Sequence, residues 1–562
     1  MKKLFSAFLV FSLYSSIGFS QQKELTDLVA QLQALCARVE SGSKNYEQEI
    51  KLTEYSSIQY TAVETDQKGN KTQFVYQLNF ADLDIYATRQ VTQKDVITVV
   101  LAVKNKQKLI KGTKNNDALP YDNEVALRAR NVDQAREMLD IVKKCIPLGE
   151  KIAASKLKLN GYQEMITWLI DHTGNVALGN KSISQSLKPD SYVGSYTLMQ
   201  IENDGKTSQQ EEFTFNIADI NPNTINFKVN GNRFGVGFEM MQRLKTVKVI
   251  RDGKPRAFND EVLVYTNNVD EARDIKTVLE MALPLAATKV KTDLPNFKIK
   301  EESLDKIAAL VKDVKLGEKT YGQTSTPRCL TEITQVEQSS SSTVKNLFSF
   351  NYMDVYKDGI QLKTSGEKML LELPMQEKKK LVMRYKNEKF EGYENDFSIL
   401  VTDYEVARRL KHAIERTIDG CRASFKEVFP SSNAAIISWL KTNIGEVTID
   451  QVTKKQSFEL AEEGNENKIK LTNTELKSSS SVQEVFEFNL SDINPTSVNY
   501  EIKGKWLYVT FETNFKNKII KAYKDGKIQP YVYSVDILVK DIETARSTIT
   551  ALKRLAENLK GK

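Results

Sequence analysis

The sequence predicts an α+β protein made of four tandem copies of one module. Each copy is a bent antiparallel sheet of about six or seven strands, with an N-terminal helix and a capped C-terminal helix. Three observations lead there. An aromatic-rich segment recurs at 76–83, 213–220, 348–355 and 486–493, each time ending in Asn, two residues, Asp and an apolar residue. An Ala-Arg pair recurs with it, because Ala135, Ala272, Ala407 and Ala545 each lie 53 residues beyond Asp82, Asp219, Asp354 and Asp492. One spacing kept four times marks an internal repeat. Finally, 562 residues suffice for about three to five domains.

The elements follow in chain order. Residues 1–20 read as a cleaved secretory signal: Lys2 and Lys3, an apolar run over 4–14 too short to span a bilayer, then Gly18 and Ser20 before a cut ahead of Gln21. No later stretch is long and apolar enough for a transmembrane helix, so the mature chain is expected to be soluble and exported, periplasmic or secreted. The module boundaries are then 21–158, 159–298, 299–428 and 429–562.

Within a module the recurring segment alternates, as in Phe213, Phe215 and Ile217 against Thr214, Asn216 and Ala218. Period two with aromatics marks a half-buried strand. Gly231, Gly366 and Gly504 mark hairpin turns, and Asp252-Gly253 and Asp525-Gly526 mark another. A last strand follows, over 261–266 in copy two and 533–540 in copy four. Asn131, Asn268, Asp403 and Asp541 then stand where a cap accepts first-turn amides. Asp133, Asp270, Glu405 and Glu543 follow two positions on, suited to the positive end of the helix. In copy four, Ala545, Ile549, Leu552, Leu555 or Ala556, and Leu559 form the apolar stripe. Residues 433–441 read as a helix opening the next copy, and the lysine-rich 151–158 as a helical connector.

The copies also pair. Copies two and four share Trp168-Leu169 with Trp439-Leu440, and the Asp-Ile-Asn-Pro runs at 219–222 and 492–495, while copies one and three hold all four cysteines. An ABAB history, a doubled two-module unit, fits this pattern.

This order of strands, Asx cap, acid and Ala-Arg resembles the pleckstrin-homology-like superfold, a bent antiparallel sheet closed by a C-terminal helix, over about 110 residues of each copy. The opening helix departs from it and leaves a helix-grip fold as the alternative, with a long helix over an apolar cavity. The Ser20-Gln21 junction is similar to that of exported proteins of Bacteroidetes-type bacteria.

Candidate chemistry is sparse. Net charge is +7, and the only histidines are His172 and His412. Neither sits in a Ser/His or Cys/His constellation, and no phosphate-cradling glycine motif occurs. No enzyme activity, cofactor or metal is expected. The pairs Asn79/Asp82, Asn216/Asp219, Asn351/Asp354 and Asn489/Asp492 invite a calcium reading, but no dense acidic loop surrounds them. Turn chemistry at the strand end, with Asp bonding the turn backbone, is the expectation. The basic stretch 376–385 contains Glu377 among its lysines and reads as a solvated strand or loop, not a nucleic-acid site. The serine runs 339–342 and 478–481 read as hairpin loops. In an exporting context the four cysteines invite pairing. Cys145 and Cys421 lie at the ends of capped helices, Cys36 on the opening helix, and Cys329 on the first strand of copy three. The expected bridges are Cys36–Cys145 and Cys329–Cys421. The expected function is non-catalytic, a multi-module binding or scaffolding protein for an unknown envelope or extracellular protein, peptide or glycan. A carrier of a lipid or other apolar ligand is the alternative, and an exported hydrolase the third reading.

Overall fold

Every module begins with a helix, and in the first module this is α1, residues 20–35. The computed structural model describes residues 20–36, 38–41, 44–93, 96–178, 181–230, 233–425, 432–477 and 480–560. The expected export signal up to residue 19, the turn at Gly231 and the start of the 478–481 serine run lie outside the described residues.

Nine strands follow α1: β1 (Val39–Ser41), β2 (Lys44–Leu52), β3 (Ser57–Thr65), β4 (Lys71–Asn79), β5 (Arg89–Gln93), β6 (Val96–Ala102), β7 (Lys111–Lys114), β8 (Asp117–Ala118) and β9 (Glu124–Ala129). They form two antiparallel sheets, a six-stranded one in the order β1-β2-β3-β4-β7-β8 and a three-stranded one in the order β5-β6-β9. Helix α2 (Val132–Lys156) closes the module. The same nine-strand order recurs in the other three. Their helices are α3 (Tyr162–His172), α4 (Val269–Asp293), α5 (Lys300–Leu310), α6 (Tyr404–Ser424), α7 (Asn433–Asn443) and α8 (Ile542–Leu559).

The α+β repeat is therefore as expected, but nine strands in two sheets replace six or seven in one. The two additional strands are the opening hairpin β1–β2. Its mixed polar sequence, Lys-Asn-Tyr-Glu-Gln-Glu-Ile-Lys-Leu over β2, carries little alternating hydrophobicity.

Local chemistry explains the remaining elements. β9 alternates half-buried and buried side chains along its whole length, as a strand between core and solvent must. Asp252-Gly253 and Asp525-Gly526 turn with positive φ at both residues, which is why Asp-Gly suits two-residue hairpins. The four caps act as read: Asn131 accepts from the Gln134 amide, Asn268 from Glu271, Asp403 from Val406 and Asp541 from Thr544. On α8 the buried stripe contains Ala545, Leu552, Leu555, Ala556 and Leu559, but Thr548 takes the buried place expected for Ile549.

Between β4 and β5 the chain makes a 3₁₀ turn over Phe80–Asp82, and α2 lies against it. Gly149 permits this approach, since a Cβ there would stand 2.7 Å from that of Phe80. Phe80, Leu101, Leu127, Met138 and Val142 fill the space between helix and sheets. Burying each such side chain is worth about 1.5–3 kcal/mol.

The chain forms two compact units, Met1–Asp293 and Leu294–Lys562. Each holds two modules, in agreement with the ABAB pattern. In the first unit the buried apolar residues of both modules form one continuous cluster, from Leu25 to Ala286.

Candidate functional site: an open cleft in the fourth module

One glutamine on β2 joins the two sheets in every module. Gln48 donates from Nε2 to the Arg128 carbonyl at 3.0 Å and accepts from the Arg128 amide at 2.7 Å. Gln185 does the same with Tyr265, Gln323 with Leu400 and Gln456 with Leu538. A side-chain amide thus stands in for a strand neighbour and satisfies the edge of β9 or its counterpart.

A second bond across the sheets backs this clamp in three modules. Tyr60 bonds the Ala126 carbonyl, Gln200 the Leu263 carbonyl, and Gln335 the Ser398 carbonyl. In module four, the residue paired in register with Gln456 is Asn473. It is one methylene shorter than Gln200 or Gln335, and its buried Oδ1 has no hydrogen-bond partner.

A cleft of about 950 Å³ opens at this place, between the strands Val452–Leu460, Lys468–Lys477 and Ser480–Asn489 on one side and Asn499–Lys503, Trp506–Glu512 and Ser534–Val539 on the other. Its lining is polar and mixed in charge. Lys454 bonds the Tyr508 hydroxyl at 3.2 Å, pairs with Glu475 at 3.4 Å and lies over the Trp506 ring. Burial works against its charge, yet Tyr508 and Glu475 hold its pKa above the ordinary lysine value. Lys503 also lies against the Tyr508 ring and bridges Asp536 and Glu501. Asp536 raises its pKa through the hydrogen bond, against partial burial. The result is a tyrosine flanked by two fixed cations, with carboxylates beside them. No family model, curated protein or solved structure matches this chain.

The recurring Asn and Asp are used elsewhere. Asn79, Asn216 and Asn351 cap the 3₁₀ turn that follows them, accepting from Ala81, Ala218 and Met353. In these three modules it is Asn that bonds the turn amide, and for Asp82 and Asp354 the partner is an arginine, which corrects the expectation for those two acids. Asn489 bonds Asp492 instead. Asp82 receives both arms of Arg273 from the next module, Nε at 3.1 Å. Asp354 receives one arm of Arg546, Nη2 donating to its two oxygens at 2.9 and 2.7 Å. Burial raises the pKa of Asp82 and of Asp354, and the facing guanidinium opposes that rise. Asn79 also donates to Asp270 at 2.9 Å, and Asn351 to Glu543 at 3.1 Å. The first turns of α4 and α8 are therefore docked on the strand-end motif of the preceding module. The Ala-Arg repeat was legible as a repeat, but not as the partner of the Asp.

Cys329 and Cys421 form the expected disulfide, with Cα atoms 5.7 Å apart. Cys329 sits in the bend before Leu330–Gln338, not on a strand. Cys36 and Cys145 are not bridged, which corrects the second pairing. Both are buried thiols in the apolar cluster, and burial alone pushes each pKa up to about 12. They pack as small hydrophobes.

His172 stacks on Trp168 at the end of α3, and His412 bonds the Pro295 carbonyl from α6. In the basic stretch, Arg384 pairs with Glu394 and Lys379 with Glu377. Among the described residues, no group of three His, Cys, Asp or Glu is placed to hold a metal, and no helix is long and apolar enough to cross a membrane.

Proposed function

We propose that this chain is a non-catalytic, exported binding or scaffolding protein, and that its fourth module carries a binding cleft for a polar ligand, a peptide or a charged glycan. The observation behind this reading is the cleft at Asn473, where the second bond across the sheets is missing and Lys454, Tyr508 and Lys503 line the opening. Fixed cations, carboxylates and an aromatic face together suit a ligand with both ionic and hydrogen-bonding groups. Four modules on one chain also present related surfaces at high effective concentration. The Cys329–Cys421 bridge is in keeping with an oxidising compartment. A pleckstrin-homology-like ancestry stands on the antiparallel strands closed by a C-terminal helix, and the side-chain clamp between two sheets is its departure from that pattern.

An apolar-ligand carrier finds less support. Phe80, Leu101, Met138 and their neighbours occupy the space under the closing helix. A hydrolase finds less as well, because Glu475, Glu501 and Asp536 in the cleft are each engaged with a lysine.

The test is binding of the full-length chain to arrays of defined peptides and oligosaccharides. Binding is expected, and a Lys454→Glu/Tyr508→Ala variant with an unchanged melting curve is expected to lose about tenfold or more in affinity. A chain that binds neither class, or a variant that binds as well as the parent, overturns the reading.

A further inference from the structure

Two contacts join successive modules inside each unit. The first is the ionic dock already described, Asp82 with Arg273 and Asp354 with Arg546. The second is made by the tyrosine three residues before the last strand, with a different partner in each unit. Tyr121, three residues before β9, is only 5% exposed and stacks at 4.9 Å on Phe234, near the start of the next module's counterpart of β6. Its counterpart in module three, Tyr393, is 8% exposed. Together with Phe390, it faces the opening hairpin of module four across a cleft, where Lys505 donates to the Phe390 carbonyl.

Module four presents the Asp and Tyr side of both contacts with no partner module on it. Tyr531, also three residues before its last strand, is 48% exposed, and Ile528, at the position of Phe390, is 79% exposed. Asp492 is half-buried and bonds Asn489 of its own module. Module one carries the matching Arg side, also uncovered. Arg136, at the position of Arg273 and Arg546, has a side chain 69% exposed, in a surface pair with Asp133. Ile97, at the position of Phe234, is half-buried, whereas Phe234 and its module-four counterpart Leu507 are fully buried.

The two halves are complementary in charge and in shape class, and each already has a working example within this chain. We propose that module four of one copy docks on module one of a second copy through this same contact. Asp492 takes Arg136, Asn489 takes Asp133, and Tyr531 with Ile528 covers the start of β6 at Ile97. Such an interface uses two different surfaces, so each added copy leaves one of each free and association runs head to tail. This does not depend on the cleft between the sheets of module four or on what fills it.

The experiment is sedimentation velocity of the full chain from micromolar to about 1 mM concentration. The parent is expected to show species larger than one chain, growing with concentration. Arg136→Glu alone, Asp492→Arg alone and Tyr531→Glu alone are each expected to weaken association by about tenfold or more. The Arg136→Glu/Asp492→Arg double variant is expected to recover it. All three substitutions fall on exposed or half-exposed side chains, and far-UV circular dichroism checks that the fold is kept. A single one-chain species at every concentration overturns the proposal. So does association that the single changes leave intact, or that the charge exchange fails to recover.

Discussion

Cys36 and Cys145 show how far one residue's surroundings decide its chemistry. Both are buried among apolar side chains, which disfavours the thiolate. The folded protein is therefore expected to react with no thiol reagent, and the unfolded, unreduced protein with two equivalents, from these residues alone. Four equivalents would mean that Cys329–Cys421 is not formed in solution, and none would mean a second bridge. The same groups link stability to pH. Their folded pKa lies near 12, above the reference value of 9.0. The folded state thus holds protons that the unfolded state releases, and stability falls as pH rises between those values. Denaturant melts across that range are expected to show a steeper fall for the parent than for Cys36→Ala/Cys145→Ala.

At the level of elements, each long helix depends on its cap and on its apolar stripe. Asp541→Ala removes the acceptor for the Thr544 amide and is expected to cost about 0.5–2 kcal/mol. Ala545→Asp puts a carboxylate on the buried face of α8, where the alanine is almost wholly enclosed, and is expected to cost more. Thermal melts of the two variants check the order, and equal losses would show that Ala545 does not face the core. The sheets have an element-level device of their own. Gln48, Gln185, Gln323 and Gln456 do with one side chain what a strand neighbour does with a backbone, and so fix the angle at which the two sheets meet.

Across the whole molecule, the pairing of modules matters more than any one of them. The apolar cluster of the first unit runs through both its modules, and the Asp82–Arg273 pair lies at their junction with little exposure. Asp82→Ala leaves a buried guanidinium with less to face and is expected to destabilise the first unit by about 3–5 kcal/mol. Asp82→Leu/Arg273→Met removes both charges and is expected to recover much of that loss. Denaturant unfolding of residues 21–293 measures both. If Asp82→Ala costs no more than a surface change, the pair does not hold the junction together.

The repeat, its pairing, the helix caps and the Asp-Gly turns were legible along the chain. These depend on neighbours within a few residues or on spacings that recur, and both are visible along one dimension. The sequence also suggested the Cys329–Cys421 bridge, by the same argument that paired Cys36 with Cys145, which are not bridged. The opening hairpin was not legible, because its strands are short or polar and earn their place by pairing at an edge. Nor was the glutamine clamp, since a polar residue in a polar strand carries no periodicity, and its partner lies 80 residues on in the first two modules. The role of the Ala-Arg repeat was hidden for the same reason, as Arg273 meets Asp82 across 191 residues and a module boundary. The cleft in module four is lined by Asn473, one methylene shorter than Gln200 and Gln335, which reach across in modules two and three. Only the tertiary structure decides such contacts, because hydrogen bonds and ion pairs act over a few ångströms in space, whatever the distance along the chain.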